Sequence, residues 1–480
     1  MTSKTLYWYD FETFGKNAKR DRASQFAGVR TDEDLNIIGE PLLIYCRPSP
    51  DFLPAPMACY ITGITPQKAL AEGVSEDEFI RRILAELSEP GTCGVGYNSV
   101  RFDDELARQL LYRNFHDPYE REYKNGNSRW DLIDVVRLCA AVRPEGINWP
   151  LREDGQRSFK LDQLTVANGI EHGAAHDALA DVIATIEMAK LLRRAQPRLY
   201  DFAYQQRSKA TVRAQFDLRT NQPVLHVSMA YPAAQGCLSV VMPLCVHPTN
   251  SNALIVCDLR TDPAVWLDLS AQEIAARLYK KRADREEGEE AIPLQSLATN
   301  KCPVIAPLNV LNDKQAQEYG LQAELWQRHF EKIKSDPRAS VLASEAFAGD
   351  SDISESDPDF MIYSGFFGEA DKKLMSTIRR TPAADLGRLD MPFRDARLQE
   401  MLFRYRARNW PDTLSEAEAQ RWREFCLTRT ETADVLADFE AGLAEVEALG
   451  GSEAQTLVAE LRDYQSSLSQ QAIPTALPSK

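Results

Sequence analysis

Three short patterns in the first part of the chain set acidic side chains at spacings that could do chemistry. Asp10 and Glu12 stand two apart in LYWYDFETFG. Residues two apart on a strand face the same side, and two carboxylates on one side suit a hard divalent cation, which takes oxygen ligands. The second pattern is Asn98-Ser-Val-Arg-Phe102-Asp103. Here Asn98 could hold a turn, Phe102 could pack, and Asp103 would project from the start of a helix. Asp104 and Glu105 beside it read as ordinary helix-start acids that favour the dipole. The third is His176-Asp-Ala-Leu-Ala-Asp181. Asp177 would cap the following helix, with His176 on the loop before it. Asp181 falls one turn inside, among Leu179, Val182 and Ile183, where a half-buried carboxylate needs a partner or a metal. Each pattern alone has an ordinary structural reading; the three in this order carry the weight.

These residues need elements to position them. LYWYD reads as an apolar strand ending in an acid, and QFAGVRTD and PLLIYCRP as the next two strands of a meander. Ser75 followed by Glu78 is a capping-box pattern that opens an amphipathic helix through Leu87. CGVGYN reads as a short strand, followed by a helix from about Phe102 to Asn114. SRWDLIDVVRLCAAV reads as a helix closed by Pro144. LDQLTVANG reads as a helix stopped by Gly169, and a long helix runs from about Asp177 to Arg194. Strands with interleaved helices imply an α/β layer architecture over residues 5–195.

Residues 197–350 carry β-branched runs, VLHVSMA, CLSVVMPLCV and NALIVCDL, separated by turn residues. Helical patterns follow at SAQEIAARLYKK and over 313–334. The stretch EAFAGDSDISESDP, residues 345–358, is small, acidic and polar and reads as a linker. After it, residues 366–465 are almost entirely helical in pattern, and the tail QQAIPTALPSK reads as disordered.

The 480 residues are 44% hydrophobic and 26% charged, which excludes fibrous and disordered classes. At roughly 100–200 residues per domain, two to four domains are expected. No run of about 18 apolar residues is present, so no membrane span is expected. The start, MTSKTLYWYDFETFG, lacks the apolar core of a signal peptide. Nine scattered cysteines with no CxxC pair argue against a zinc site and fit reduced thiols in a cytoplasm. The net charge of −15 weighs against a nucleic-acid binder. A groove can still be positive on an acidic protein, and an acidic exterior limits sticking to duplex.

The order acid-x-acid, Asn-x3-Phe-Asp, His-x4-Asp resembles the DEDD exonuclease superfamily, and the histidine places the resemblance in its DEDDh branch. Longer stretches are similar to bacterial exonuclease I: YDFETFG, DRASQFAGVRTD, ITGITPQKA, GYNSVRFDDE, NSRWDLIDVVR, RPEGINWP, HDALADV and FRYRARNWP. That resemblance implies an α/β, RNase H-like exonuclease domain with a mixed sheet over 5–195. A β-rich SH3-like domain over 197–350 and an all-helical C-terminal domain over 354–472 would follow, closing a clamp on one strand. It implies two Mg2+ ions, with Mn2+ as a substitute. Asp10, Glu12 and Asp181 would hold one ion, with Asp10 shared and Asp103 supporting the second. His176 would take a proton from the attacking water, for which an ordinary pKa near 6.5 is suited. The implied activity is 3′–5′ digestion of single-stranded DNA to nucleoside 5′-monophosphates, in repair and recombination, by a cytoplasmic monomer.

By the same resemblance Glu12, Arg108, Tyr119, Tyr123 and Arg137 would contact DNA. Lys160, in SFKLDQL, stands where the family has a basic substrate contact; lysine keeps the charge without arginine's two-pronged phosphate contact. Arg143, beside RPEGINWP, would belong to a patch that docks the C-terminal tail of single-stranded DNA-binding protein. Among basic runs, Lys280-Lys281-Arg282 and Arg379-Arg380 read as solvated, and Arg404-Tyr-Arg-Ala-Arg408 stands out because it leads into Asn409-Trp410-Pro411. A DEDDh ribonuclease that trims RNA 3′ ends is the alternative, since the acids do not distinguish the sugars. A scaffold with a retired nuclease domain is disfavoured by the complete set of acids plus histidine.

Overall fold

The computed structural model describes residues 4–171, 173, 177–280, 284–285, 289–349 and 355–472. His176, Lys281, Arg282, residues 350–354 of the expected linker and the tail beyond 472 lie outside them. Contacts divide the chain into two compact units. The first comprises Met1–Asn127, Gly173–Ile183 and Ser354–Lys480, the second Ser128–His172 and Ala184–Ile353.

The first unit is built on β1 (Thr5–Thr13), β2 (Ala23–Thr31), β3 (Leu42–Tyr45) and β4 (Thr92–Gly96). Within it the strands run in the order β3-β2-β1-β4. β1 pairs antiparallel with β2 and parallel with β4, so the sheet is mixed as expected. β1 extends past LYWYD through Thr13 and shifts register only between Glu12 and Thr13. Its alternation is clean. Tyr7, Tyr9 and Phe11 enter a core with Phe26, Phe79 and Leu106, which sends Asp10 and Glu12 to the other face. Gly28 on β2 permits this packing, because a Cβ there would lie 2.3 Å from the Tyr7 hydroxyl. The helix Glu76–Leu87 starts at Ser75, whose side chain accepts from the Glu78 amide at 3.4 Å. The Glu78 carboxylate turns instead to Arg81 and Arg82, so the capping box is only half formed.

The helices of the C-terminal part belong to the same unit and share its cores. Phe14, Cys59 and Ile64 pack with Phe439, Leu443 and Leu461. Tyr112 and Phe115 pack with Ile378, Met401 and Tyr405. A buried ionic cluster accompanies these contacts. Arg22 pairs with Asp51 at 2.9 Å and Arg113 with Glu76 at 3.0 Å. Arg408 pairs with Asp51 at 2.8 Å and also with Asp359, and Arg404 with Asp359 at 3.0 Å. Arg406 bonds Glu418 at 2.6 Å. The run Arg404–Arg408 is thus buried and neutralised, which corrects its reading as an outstanding basic cluster. Its helix, Arg397–Asn409, turns these arginines toward acids supplied from far along the chain.

The second unit holds β5 (Ser128–Asp131) and an antiparallel sheet of β6 (Val224–Val227), β7 (Leu238–Val246), β8 (Ala253–Asp258), β9 (Leu294–Ala298) and β10 (Val304–Ala306), in the order β10-β6-β7-β8-β9. The expected strand runs match β6, β7 and β8. SRWD is strand rather than helix. Asp131 ends it by accepting from the Ile133 amide at 3.1 Å, and the helix begins at Leu132, as a short acid competing with the backbone should do. The expected helix over 313–334 is two, Asp313–Glu318 and Ala323–Ser335, parted at Gly320 with φ of 67°. Leu138 and Val142 pack with Leu225, Ile255, Trp266 and Phe330 in one core. Among the described residues, no helix is long and apolar enough to cross a membrane.

Candidate functional site

The carboxylates singled out from the sequence converge within the first unit. One oxygen from each of Asp10, Glu12 and Asp181 lies within 4.8 Å of the others. Asp10 and Glu12 arrive on the same face of β1. Asp181 arrives on the first turn of the helix Ala178–Ala195. Asp177 caps that helix, its carboxylate accepting from the amides of Leu179 and Ala180 at 3.1 Å each. Gln25, opposite Glu12 in the β1–β2 register, accepts from the Ala178 amide at 3.4 Å. It ties the start of the helix to the sheet, a positioning role that the sequence did not suggest.

Asp103 opens the helix Asp103–Arg113 and is 5% exposed. Its carboxylate accepts from the Phe11 amide at 3.0 Å, which locks it between Asp10 and Glu12 along β1. The turn before it carries Asn98 in the left-handed region, with φ of 65°, a conformation asparagine tolerates better than most residues. Asp104 does more than favour the helix dipole. It is buried and accepts from the Tyr9 hydroxyl and from Arg121, both at 2.6 Å.

The electrostatics of this group are one-sided. Burial, then the charges of Asp103, Glu12 and Asp181, hold the Asp10 carboxyl well above the usual carboxylate range. Burial and the charges of Asp181, Asp103 and Asp177 push Glu12 up to about 8. Among the described residues, no lysine or arginine pairs with Asp10 or Glu12. Clustered carboxylates of this kind ionise together only when cations join them. The donor atoms are all oxygens, which fits a hard divalent ion and not a thiolate-seeking one.

The other expected residues fall in several places. Arg108 is buried, forms a two-pronged pair with Glu122 at 2.8 and 3.0 Å, and lies 5.5 Å over the Tyr119 ring. Tyr119 is half-buried and Tyr123 is 66% exposed. Two aromatics that the sequence reading passed over stand in the same unit. Phe366, 83% exposed, meets Tyr119 edge-on at 5.8 Å, and Tyr363 donates to Glu105. Their signal is the aromatic density of FMIYSGFF, residues 360–367. Arg137, Arg143 and Lys160 belong to the second unit. Arg137 is buried and bound to Asp134 at 2.5 Å. Arg143 is exposed and donates to the Val310 carbonyl at 3.1 Å. Lys160 is exposed at the start of the helix Leu161–Ala167.

Family models match almost end to end: Exonuclease at 7–189, Exonuclease I SH3-like domain at 207–349 and Exonuclease I C-terminal domain at 356–468. The exodeoxyribonuclease I of Haemophilus influenzae is 45% identical over 441 residues, 92% of this chain and 93% of that protein. The chain belongs to the exonuclease I family. Solved exonuclease I structures agree in fold. The zinc-bound crystal structure of the Escherichia coli exonuclease I complex with single-stranded DNA is 41% identical, with a TM-score of 0.92, covering 97% of this chain and 100% of that one. A structure described as SSB/exonuclease I in complex with an inhibitor is 41% identical, with a TM-score of 0.91 and the same coverage. The exonuclease fold with its mixed sheet, the SH3-like part and the helical C-terminal part are those of exonuclease I.

Proposed function

We propose that this exonuclease I digests single-stranded DNA from its 3′ end and releases nucleoside 5′-monophosphates, in the service of DNA repair and recombination. The observation that carries the reading is the gathering of Asp10, Glu12, Asp103 and Asp181 in one place, with carboxylates, among the described residues, as the charged neighbours of Asp10 and Glu12. Asp10, Glu12 and Asp181 would hold one Mg2+, with Asp10 shared, and Asp103 would support a second; Mn2+ would substitute. Bound there, two such ions supply positive charge to the attacking and leaving oxygens of a phosphodiester. His176 takes the proton of the attacking water, and Glu12 also meets the terminal nucleotide.

Along the strand, Arg108, Tyr119, Tyr123, Arg137 and Lys160 contact DNA in this reading, and the exposed Phe366 adds a stacking surface beside Tyr119. Stacking is worth about 1–3 kcal/mol per base. Arg143 helps dock the C-terminal tail of single-stranded DNA-binding protein. The domains are taken as 5–195, 197–350 and 354–472. The enzyme works as a monomer in the cytoplasm, where its nine cysteines, none of them in a disulfide, would stay reduced.

Asp103→Ala and His176→Ala test the assignment. Each should lose most hydrolysis, by about 100-fold or more for a group used in general acid–base or metal chemistry, while single-strand binding stays measurable in a gel-shift titration. Near-normal turnover by either variant removes that residue from the mechanism.

A further inference from the structure

Behind the carboxylate set, three buried side chains form a closed triangle that the reaction as proposed does not use. Asp104 accepts from the Tyr9 hydroxyl and from the Arg121 guanidinium, at 2.6 Å each. The third side joins the other two, with the Arg121 guanidinium 5.9 Å from the centre of the Tyr9 ring. All three residues are buried, Asp104 at 1% exposure. Arg121 is therefore closed to a bound strand, although it stands between Tyr119 and Tyr123.

The sequence neighbours of the triangle give it its interest. Tyr9 precedes Asp10 on β1, Asp104 follows Asp103 at the head of its helix, and Arg121 lies in the short helical turn Glu120–Glu122. β1 and the helix start meet at two adjacent points, the Phe11 amide on Asp103 at 3.0 Å and the Tyr9 hydroxyl on Asp104. Arg121 braces the second point from the other side. Charge makes the same demand. Asp104 is a buried acid one residue from Asp103, and Arg121 answers its charge without pairing with Asp10 or Glu12. An arginine among the ligands themselves would take the place of a metal. A buried ion pair of ordinary kind steadies a fold little more than apolar packing would. This one lies one residue from an acid of the site on two sides, so its loss reaches the site.

We propose that Arg121 is a positioning residue for the metal site: it holds Asp104 against Tyr9 and so fixes the helix start that presents the Asp103 carboxylate to Asp10. The proposal rests on the reading of the carboxylates as the metal site of a single-strand exonuclease. Arg121 acts on metal affinity and turnover, and not on the grip on the strand.

The test is titration of the full chain with Mn2+, followed by the paramagnetic resonance of the free ion. Turnover of single-stranded DNA and anisotropy of a labelled strand in chelator accompany it. Arg121→Met should weaken Mn2+ by about 10-fold or more, the usual cost of removing a group that orients a metal ligand. kcat should fall with it, while KM and the strand affinity in chelator hold. Arg121→Lys, which keeps the charge, should recover most of the loss. Tyr9→Phe removes one hydroxyl and leaves the ring packed. It should weaken Mn2+ in the same direction by less, and it keeps the proposal open to refutation if Arg121→Met does not fold. Unchanged Mn2+ affinity in Arg121→Met and Tyr9→Phe, with the unmodified chain active, overturns this proposal alone. So does a loss confined to strand affinity, or one that Arg121→Lys does not relieve. Failure of the unmodified chain to bind Mn2+ overturns the reading of the site and this proposal with it.

Discussion

The first unit buries two sets of charges, and they follow opposite rules. In the ionic cluster of Arg22, Asp51, Glu76, Arg113, Asp359, Arg404 and Arg408, every carboxylate faces guanidinium groups. Burial alone would raise Glu76, but Arg113 and Arg22 outweigh it and bring the carboxyl down to about 2. Asp51 and Asp359 are likewise held low against the pull of burial, with Arg408 the foremost cause in each. Around Asp10 and Glu12 the neighbouring charges are carboxylates, and both groups are pushed up. The same chain that neutralises one buried cluster with four arginines supplies none to Asp10 or Glu12 among the described residues. The difference separates a cluster complete in itself from one that needs cations from outside.

Removing one charge from each set should break the comparison open most widely. Arg408→Ala leaves Asp51 and Asp359 buried without it and should cost about 3–5 kcal/mol, the usual penalty for stranding a buried charge. Asp10→Asn removes one of several like charges and should leave the metal-free protein as stable as before or more so. Urea denaturation in the presence of a chelator compares the two. Equal losses would mean that the carboxylate set is held by partners of its own.

A smaller effect should appear in the dependence of stability on pH. Glu12, raised from 4.5 to about 8, binds a proton in the folded state that the unfolded chain has already released. Its contribution to metal-free stability therefore falls as pH rises from 4.5 through about 8. Glu76 has the opposite sign. Its contribution is present above 4.5 and lost as pH falls through about 2. Thermal midpoints measured with chelator should decline across the neutral range. Glu12→Gln should flatten that decline, and Mg2+ should do the same for the unmodified chain. A decline of unchanged slope in both cases would assign it elsewhere. The smallest effect should come from Arg143→Ala, outside both clusters, which should weaken binding of a tail peptide of single-stranded DNA-binding protein severalfold. A fluorescence-polarisation titration with an unchanged midpoint would count against that role.

What could be read from the sequence was what depends on local spacing. Period two on β1 put Asp10 and Glu12 on one side, and a strand–turn–helix signal put Asp103 at a helix start. The chain confirms both placements, with Asn98 at the turn. His176 lies outside the described residues, and its place rests on the motif. What could not be read depends on partners distant in sequence. Gln25 reaches the Ala178 amide across 153 positions. Arg408 meets Asp51 across 357, so a run that looks like a basic surface becomes a buried lattice. Periodicity alone merges Ser128–Asp131 with the following helix, because it does not mark Asp131, the last strand residue, as a cap.

The most direct test of the account is a digestion with Mg2+ of three end-labelled substrates, single-stranded DNA, single-stranded RNA and duplex DNA, resolved at single-nucleotide spacing. Stepwise shortening of the single-stranded DNA from its 3′ end is expected, with mononucleotide products, and none with chelator. Equal digestion of the RNA, or shortening of the single-stranded DNA that persists without any divalent metal, would contradict it.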